Sequence, residues 1–171
     1  MEELRELKEY ILSLIDIKYT WWNEESGLEM FYVDKIPEIS EIRRIGINCA
    51  GLINIIRQKT GLTVPEIRED SDCTVRGGTY HYYEYFEENK VLEEFDIEKE
   101  YPEYTLLLRR YRDVEDQGHL AMIINKGEII HAYAEDELTG RVGITKLEDS
   151  HYYKESGYYE YIVRPENWLK Q

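Results

Sequence analysis

Positive charge, cysteine and long apolar runs are all scarce in this chain, and each scarcity closes a route. The 171 residues carry 21 Lys and Arg against 36 Asp and Glu, a formal net charge of −15. Holding a phosphate backbone takes clustered Lys and Arg, so nucleic acid is not an expected partner. The acids are scattered, which suits a solvated surface more than a binding face. No stretch comes near the roughly twenty apolar residues that cross a bilayer. Met1-Glu2-Glu3-Leu4-Arg5 has neither the basic region nor the apolar core of a secretory leader, so the expected location is cytoplasmic. The two cysteines, Cys49 and Cys73, form no zinc spacing, and in that compartment both are expected as free thiols. No repeat, linker or low-complexity tract divides the sequence. A single domain over residues 1–171 is expected, long enough for a real core.

Tyrosine, by contrast, is plentiful. Many of its sixteen copies cluster in runs such as Tyr80-His81-Tyr82-Tyr83 and Tyr158-Tyr159-Glu160-Tyr161. Alternation of this amphipathic ring with charge suits half-buried strands, and packing is its expected use.

Helical spacing of Leu4, Leu7, Ile11, Leu14 and Ile15 predicts an amphipathic helix over 2–17. A polar and aromatic loop, Thr20 to Gly27, holds Trp21-Trp22. Phe31-Tyr32-Val33 is a short apolar run, broken by Pro37. Asn48 is a good N-cap for a helix over Cys49–Lys59, with Leu52, Ile53, Ile55 and Ile56 inward and Thr60-Gly61 as its stop. Gly77-Gly78-Thr79 turns the chain into a second helix, about Tyr80 to Leu92, and the acidic stretch Glu93 to Glu103 reads as loop or irregular helix. Strands follow: Tyr104–Arg110, then His119–Asn125 and Glu128–Ala134 joined at Lys126-Gly127, then Arg141–Thr145 and Tyr158–Val163. Trp168 is expected to tuck onto the body. Helices first and an antiparallel sheet second make an α+β plan.

The chemistry gathers in two segments. Asn48-Cys49-Ala50-Gly51-Leu52 puts a thiol at a helix start, where first-turn amides and the dipole favour a thiolate and can donate to a developing oxyanion. Gly118-His119-Leu120-Ala121-Met122-Ile123 puts an imidazole at a strand mouth. His131 lies twelve residues on, across the Lys126-Gly127 turn, so cross-strand pairing brings the two rings near one another. Thiol, general base and a residue that orients the base make a kit for acyl transfer. Zinc on Cys49, His119 and His131 is conceivable by ligand type but lacks a compact motif, so neither metal nor cofactor is expected. Asp and Glu are too abundant to single out an acid/base pair. His81 and His151 are expected at the surface.

Asn48-Cys49-Ala50-Gly51-Leu52-Ile53 resembles the nucleophile motif of NlpC-type papain-like cysteine peptidases, usually Asp-Cys-Ser-Gly-Leu leading a helix. Gly118-His119-Leu120-Ala121-Met122-Ile123-Ile124 is similar to that family's Gly-His-Val-Gly-Ile-Tyr strand, and Ile129-Ile130-His131-Ala132 to its next strand. The resemblance runs from about Tyr32 to Ala134. It implies a papain-like fold, with a nucleophile-bearing central helix packed on an antiparallel sheet. It also implies roles: Cys49 the nucleophile, His119 the base, His131 the orienting residue, with Asn48 and Tyr32 beside the substrate and the Cys49 N–H in the oxyanion hole. Asn48 and Ala50 stand where the family usually has Asp and Ser, which removes a carboxylate and a hydroxyl and argues against bacterial cell-wall peptides. The Trp21-Trp22 loop, Phe31-Tyr32-Val33 and the acidic insert around Glu87 to Glu103 look more like NlpC-like proteins of large DNA viruses and some eukaryotes. The expected activity is a cofactor-free thiol hydrolase on a peptide, amide or acyl substrate. The alternatives are an acyltransferase with the same residues, or a binding protein that keeps the scaffold without turnover.

Overall fold

A computed structural model describes residues 2–21, 27–113, 116–134, 139–150 and 159–170. Trp22, His151 and Tyr158, singled out above, lie outside them. The elements that position the site are helices on one side of a mixed-length antiparallel sheet.

Helix α1 (Glu2–Ser13) is shorter than its apolar spacing predicts. At Asp16 the chain takes φ 64° and its N–H donates to the Val142 carbonyl, so the sheet captures the backbone before another turn can form. Leu7, Ile11 and Leu14 are buried as the pattern requires, but Leu4 is 42% exposed. A 3-10 turn (Glu29–Phe31) and helix α2 (Ile39–Ile45) follow, neither anticipated from sequence. Gly46 ends α2 at φ 95°, and Ile47 then pairs with the chain beside Tyr19, which delivers Asn48 to the next helix.

Helix α3 (Cys49–Lys59) has the predicted bounds. It is buried nearly all round: Leu52, Ile53, Ile55 and Ile56 are all 0% exposed. Each such side chain contributes about 1.5–3 kcal/mol when removed from water, so this helix is a core pillar and not a surface ribbon. Helix α4 (Thr79–Glu88) ends four residues before Leu92, with Lys90 at φ 56° turning the chain away.

Among the described residues the sheet has six strands: β1 (Glu93–Glu94), β2 (Leu106–Arg109), β3 (His119–Asn125), β4 (Glu128–Ala134), β5 (Gly140–Lys146) and β6 (Tyr161–Val163), ordered β1-β6-β2-β3-β4-β5. Every pairing is antiparallel. The acidic stretch after α4 thus supplies a two-residue edge strand where loop or irregular helix was expected. Strand alternation sorts the apolar residues onto both faces. Leu106, Leu108, Leu120, Met122 and Ile124 join the core beneath the helices, whereas Leu107, Ala121, Ile123 and Ile129 join a second cluster with Phe95, Tyr159 and Ile162. Helix α5 (Pro165–Trp168) closes the described chain. Trp168 is fully buried and its indole N–H donates to the Tyr104 carbonyl at 2.8 Å, as its expected tuck requires. No helix among the described residues is long and apolar enough to cross a membrane.

Candidate active site

Cys49 is the first residue of α3, and Asn48 holds it there: the Asn48 Oδ1 accepts the Gly51 N–H at 2.7 Å. Gly51 is dictated by packing, since a Cβ there would overlap the Met30 carbonyl oxygen. A buried amide completes the frame. Asn54 donates to the carbonyls of Phe31 (2.7 Å) and Gly77 (3.1 Å) and accepts from the Tyr82 hydroxyl (2.7 Å). One side chain therefore ties α3 to the Phe31 turn, to the Gly77-Gly78 turn and to α4.

The thiol hydrogen-bonds with the Thr79 side chain and with backbone of Leu120, Ala50 and Cys49 itself. Those contacts pull its pKa down, but burial outweighs them and pushes the thiol above its ordinary value. The helix-start thiolate expected from sequence is therefore a neutral thiol at rest, because desolvation of a charge exceeds what first-turn amides return.

His119 and His131 are 0% and 2% exposed. The His119 Nε2 lies 2.9 Å from His131 Nδ1, and the rings meet edge to face at 5.1 Å. The other His131 nitrogen, Nε2, lies 3.0 Å from Thr145 Oγ1, and Tyr133 stacks on the same ring at 4.6 Å. Burial lowers the His131 pKa to about 4, so it is a neutral imidazole at neutral pH. His119 shares the strand face of Ala121 and Ile123 and lies 6.1 Å from the Tyr159 ring, while the thiol reaches β3 at the backbone of its neighbour Leu120. The structure thus joins the two histidines directly and brings Cys49 to the adjoining residue. The glycine before His119 is obligatory: Gly118 has φ 72°, and a Cβ would overlap the Arg109 carbonyl oxygen.

A cleft of about 810 Å³ opens over Cys49. Tyr19, Trp21 and Phe31 are among its lining residues, as are Tyr80 and Tyr111, with Tyr19–Trp21 and Tyr80–Tyr111 packed edge to face. Three of its charged lining residues are paired: Asp116 binds Arg109 at 2.6 Å and Arg112 at 3.0 Å, and Arg112 also binds Glu160 at 2.9 Å.

Two sequence expectations sit differently in space. Tyr32 is 7% exposed and turned into the core, where its hydroxyl donates to the Gly46 carbonyl at 2.6 Å and burial pushes its pKa up to about 12. The cleft takes Phe31 instead. His81, expected at the surface, is 3% exposed. Its Nδ1 accepts the Gly77 N–H at 2.6 Å and its other nitrogen donates to the Glu66 carbonyl. Charged and tyrosine neighbours along α4 mask a position that faces inward. Asn48 lines the cleft, but its carbonyl is spent on the helix cap. Cys73 also lines the cleft as a free thiol, its Sγ 3.3 Å from the Val75 carbonyl. Among the described residues no group of three His, Cys, Asp or Glu is arranged to hold a metal ion. Thr79, Arg109, Asp116 and Thr145 carried no sequence signal; only the register of β2–β3 and β4–β5 brings Arg109 opposite His119 and Thr145 near His131.

No family model matches the sequence, and no curated protein does. Among solved structures, an NLP/P60-family protein of Staphylococcus aureus, described as similar to a lipoprotein, superposes with TM-score 0.50 and 14% identity over 99% of this chain and 42% of its own length. An NlpC/P60-family protein of Bacillus cereus superposes with TM-score 0.45 and 19% identity, over 74% of this chain and 33% of its own. The chain spans less than half the length of either. The first likeness shows the fold alone: an α+β, papain-like arrangement shared with that NLP/P60-family structure.

Proposed function

We propose that this chain, built on the NlpC-type papain-like fold, is a thiol hydrolase of the amidase or peptidase type. The observation that carries the reading is the direct His119–His131 bond at 2.9 Å, made from a strand whose next residue, Leu120, meets through its backbone the helix-start thiol in an open cleft. Because the thiol is neutral at rest, its proton leaves as the sulfur attacks. The Cys49 S–H bond breaks, sulfur bonds to the acyl carbon, and the proton goes to His119 Nδ1, the nitrogen not engaged with His131. His131 stays neutral and holds the imidazole in orientation. The Cys49 and Ala50 backbone groups meet the sulfur, and in this reading their N–H groups steady the oxyanion. His119 then returns its proton to the leaving amine, and water, deprotonated by His119, releases the acid. No cofactor enters.

The raised Cys49 thiol favours a second reading, a scaffold that binds without turnover. Intact-mass spectrometry during incubation with a library of fluorogenic acyl amides separates the two. Hydrolysis requires an acyl adduct on Cys49 that decays in water, absent from Cys49→Ala. An adduct that discharges only to an added amine makes the protein an acyltransferase. No adduct and no turnover across the library supports the scaffold.

A further inference from the structure

We propose that Thr145 sets the tautomers of His131 and, through it, of His119, making the site a four-membered chain of Cys49, His119, His131 and Thr145. The proposal rests on the thiol reading above and adds a positioning residue to it.

Two distances carry it: His119 Nε2 to His131 Nδ1 at 2.9 Å and His131 Nε2 to Thr145 Oγ1 at 3.0 Å. A neutral imidazole has one N–H and one lone pair, so the pair of rings has two self-consistent arrangements. In the first, His119 Nε2–H donates to His131 Nδ1, and His131 Nε2–H donates to the Thr145 oxygen. His119 then presents a lone pair at Nδ1 and can take the thiol's proton. In the second, every donor reverses: Thr145 donates to His131 Nε2, His131 Nδ1–H donates to His119 Nε2, and His119 carries its proton on Nδ1. That imidazole cannot act as a base toward Cys49. Once His119 is protonated its Nε2–H must donate, so only the first arrangement serves both stages without a ring flip. No proton passes along the chain; the only bonds exchanged are S–H for N–H at His119 Nδ1.

Thr145 supplies what the first arrangement needs, an acceptor at the far end of a ring that is 2% exposed. Without it, His131 Nε2–H would be a buried donor lacking a partner, a state proteins tolerate less than an unfilled acceptor. The backbone places the hydroxyl. In the β4–β5 ladder Gly143 stands opposite His131 and Thr145 opposite Ile129. The bare Gly143 leaves room for Tyr133, since a Cβ there would come within 3.0 Å of the Tyr133 ring. Tyr133 in turn stacks on His131 and fixes the ring plane that points Nε2 at β5.

Long-range proton–nitrogen NMR on the full chain labelled with 15N-histidine reads each tautomer directly. Wild type and Thr145→Ser should show His131 as the Nε2–H form, with Nδ1 accepting. Thr145→Val should move His131 toward the Nδ1–H form and slow iodoacetamide alkylation of Cys49 by about tenfold, with Thr145→Ser restoring the rate. A wild-type His131 in the Nδ1–H form overturns the proposal, a result that needs no variant to fold. So does a folded Thr145→Val with unchanged tautomers and rate. The predicted tautomers together with a Cys49 rate indifferent to His119→Ala would leave Thr145 in place and bring down the hydrolase reading instead.

Discussion

Two buried histidines, His81 and His131, teach opposite lessons from nearly equal burial. Each has both ring nitrogens engaged, and burial lowers the pKa of each. The partners of His81 are backbone groups, the Gly77 N–H and the Glu66 carbonyl, so the ring is a fixed strut beneath the Gly77-Gly78 turn. The partners of His131 are side chains, His119 and Thr145, whose own protons can be rearranged. Burial alone does not distinguish a structural strut from the role proposed for His131; the kind of partner does. The same contrast separates the cleft's thiols. Cys73 has its sulfur on a carbonyl, whereas Cys49 meets a hydroxyl and first-turn backbone.

The sharpest break in this contrast is between the cysteines. Cys49→Ala should remove most labelling by an electrophilic thiol probe under native conditions, while Cys73→Ala leaves most of it; peptide mapping after brief exposure reads both. Next comes acid stability. The folded His131 value of about 4 lies below the ordinary 6.5, so as pH falls between them the unfolded chain gains a proton that the native state refuses. Stability should therefore drop over that window, by roughly 3 kcal/mol from this residue, and level off below it. Urea titrations from pH 7 to 4 should show wild type converging on His131→Gln, which lacks the titration. His81→Gln should also lose acid sensitivity but leave the Cys49 labelling rate of the folded protein within a few-fold.

A smaller effect tests the entry to β3. Gly118→Ala forces a side chain into φ 72° and onto the Arg109 carbonyl, and should cost at least about 1–3 kcal/mol in chemical denaturation. The smallest concerns the thiol's own partner. Thr79→Val, by removing a hydroxyl donor to the sulfur, should slow Cys49 alkylation near neutral pH several-fold and raise the pH at which it accelerates, with Thr79→Ser close to wild type.

Much of this was readable from sequence because it is local. Asn48 as cap, the apolar face of α3, the Gly127 turn and the rows of Leu and Ile in β2 to β4 follow from short-range rules. The meeting of the His119 and His131 rings followed in part: the Met122–Ile130 register sets the two residues diagonally across the hairpin and not opposite each other, and the rings still come within 2.9 Å. What escaped depends on distant chain. Tyr32 looked available until Gly46 claimed its hydroxyl, and α1 looked longer until Val142 claimed Asp16. Thr79 and Thr145 are ordinary threonines whose meaning comes from a neighbouring helix end and a strand register. The thiol's pKa escaped for another reason: a sequence displays the amides at a helix start but not the depth at which they are buried.

The central claim is that His119 serves Cys49, and the rate of iodoacetamide alkylation of Cys49 from pH 4 to 9, in a Cys73→Ala background, tests it most directly. The account predicts that His119→Ala slows the reaction near neutral pH by about a hundredfold, the lower range for a general base, and leaves only the rise at high pH where the thiol ionises unaided. Superimposable profiles with and without His119 would contradict it, and the cleft would then belong to a protein that binds without turnover.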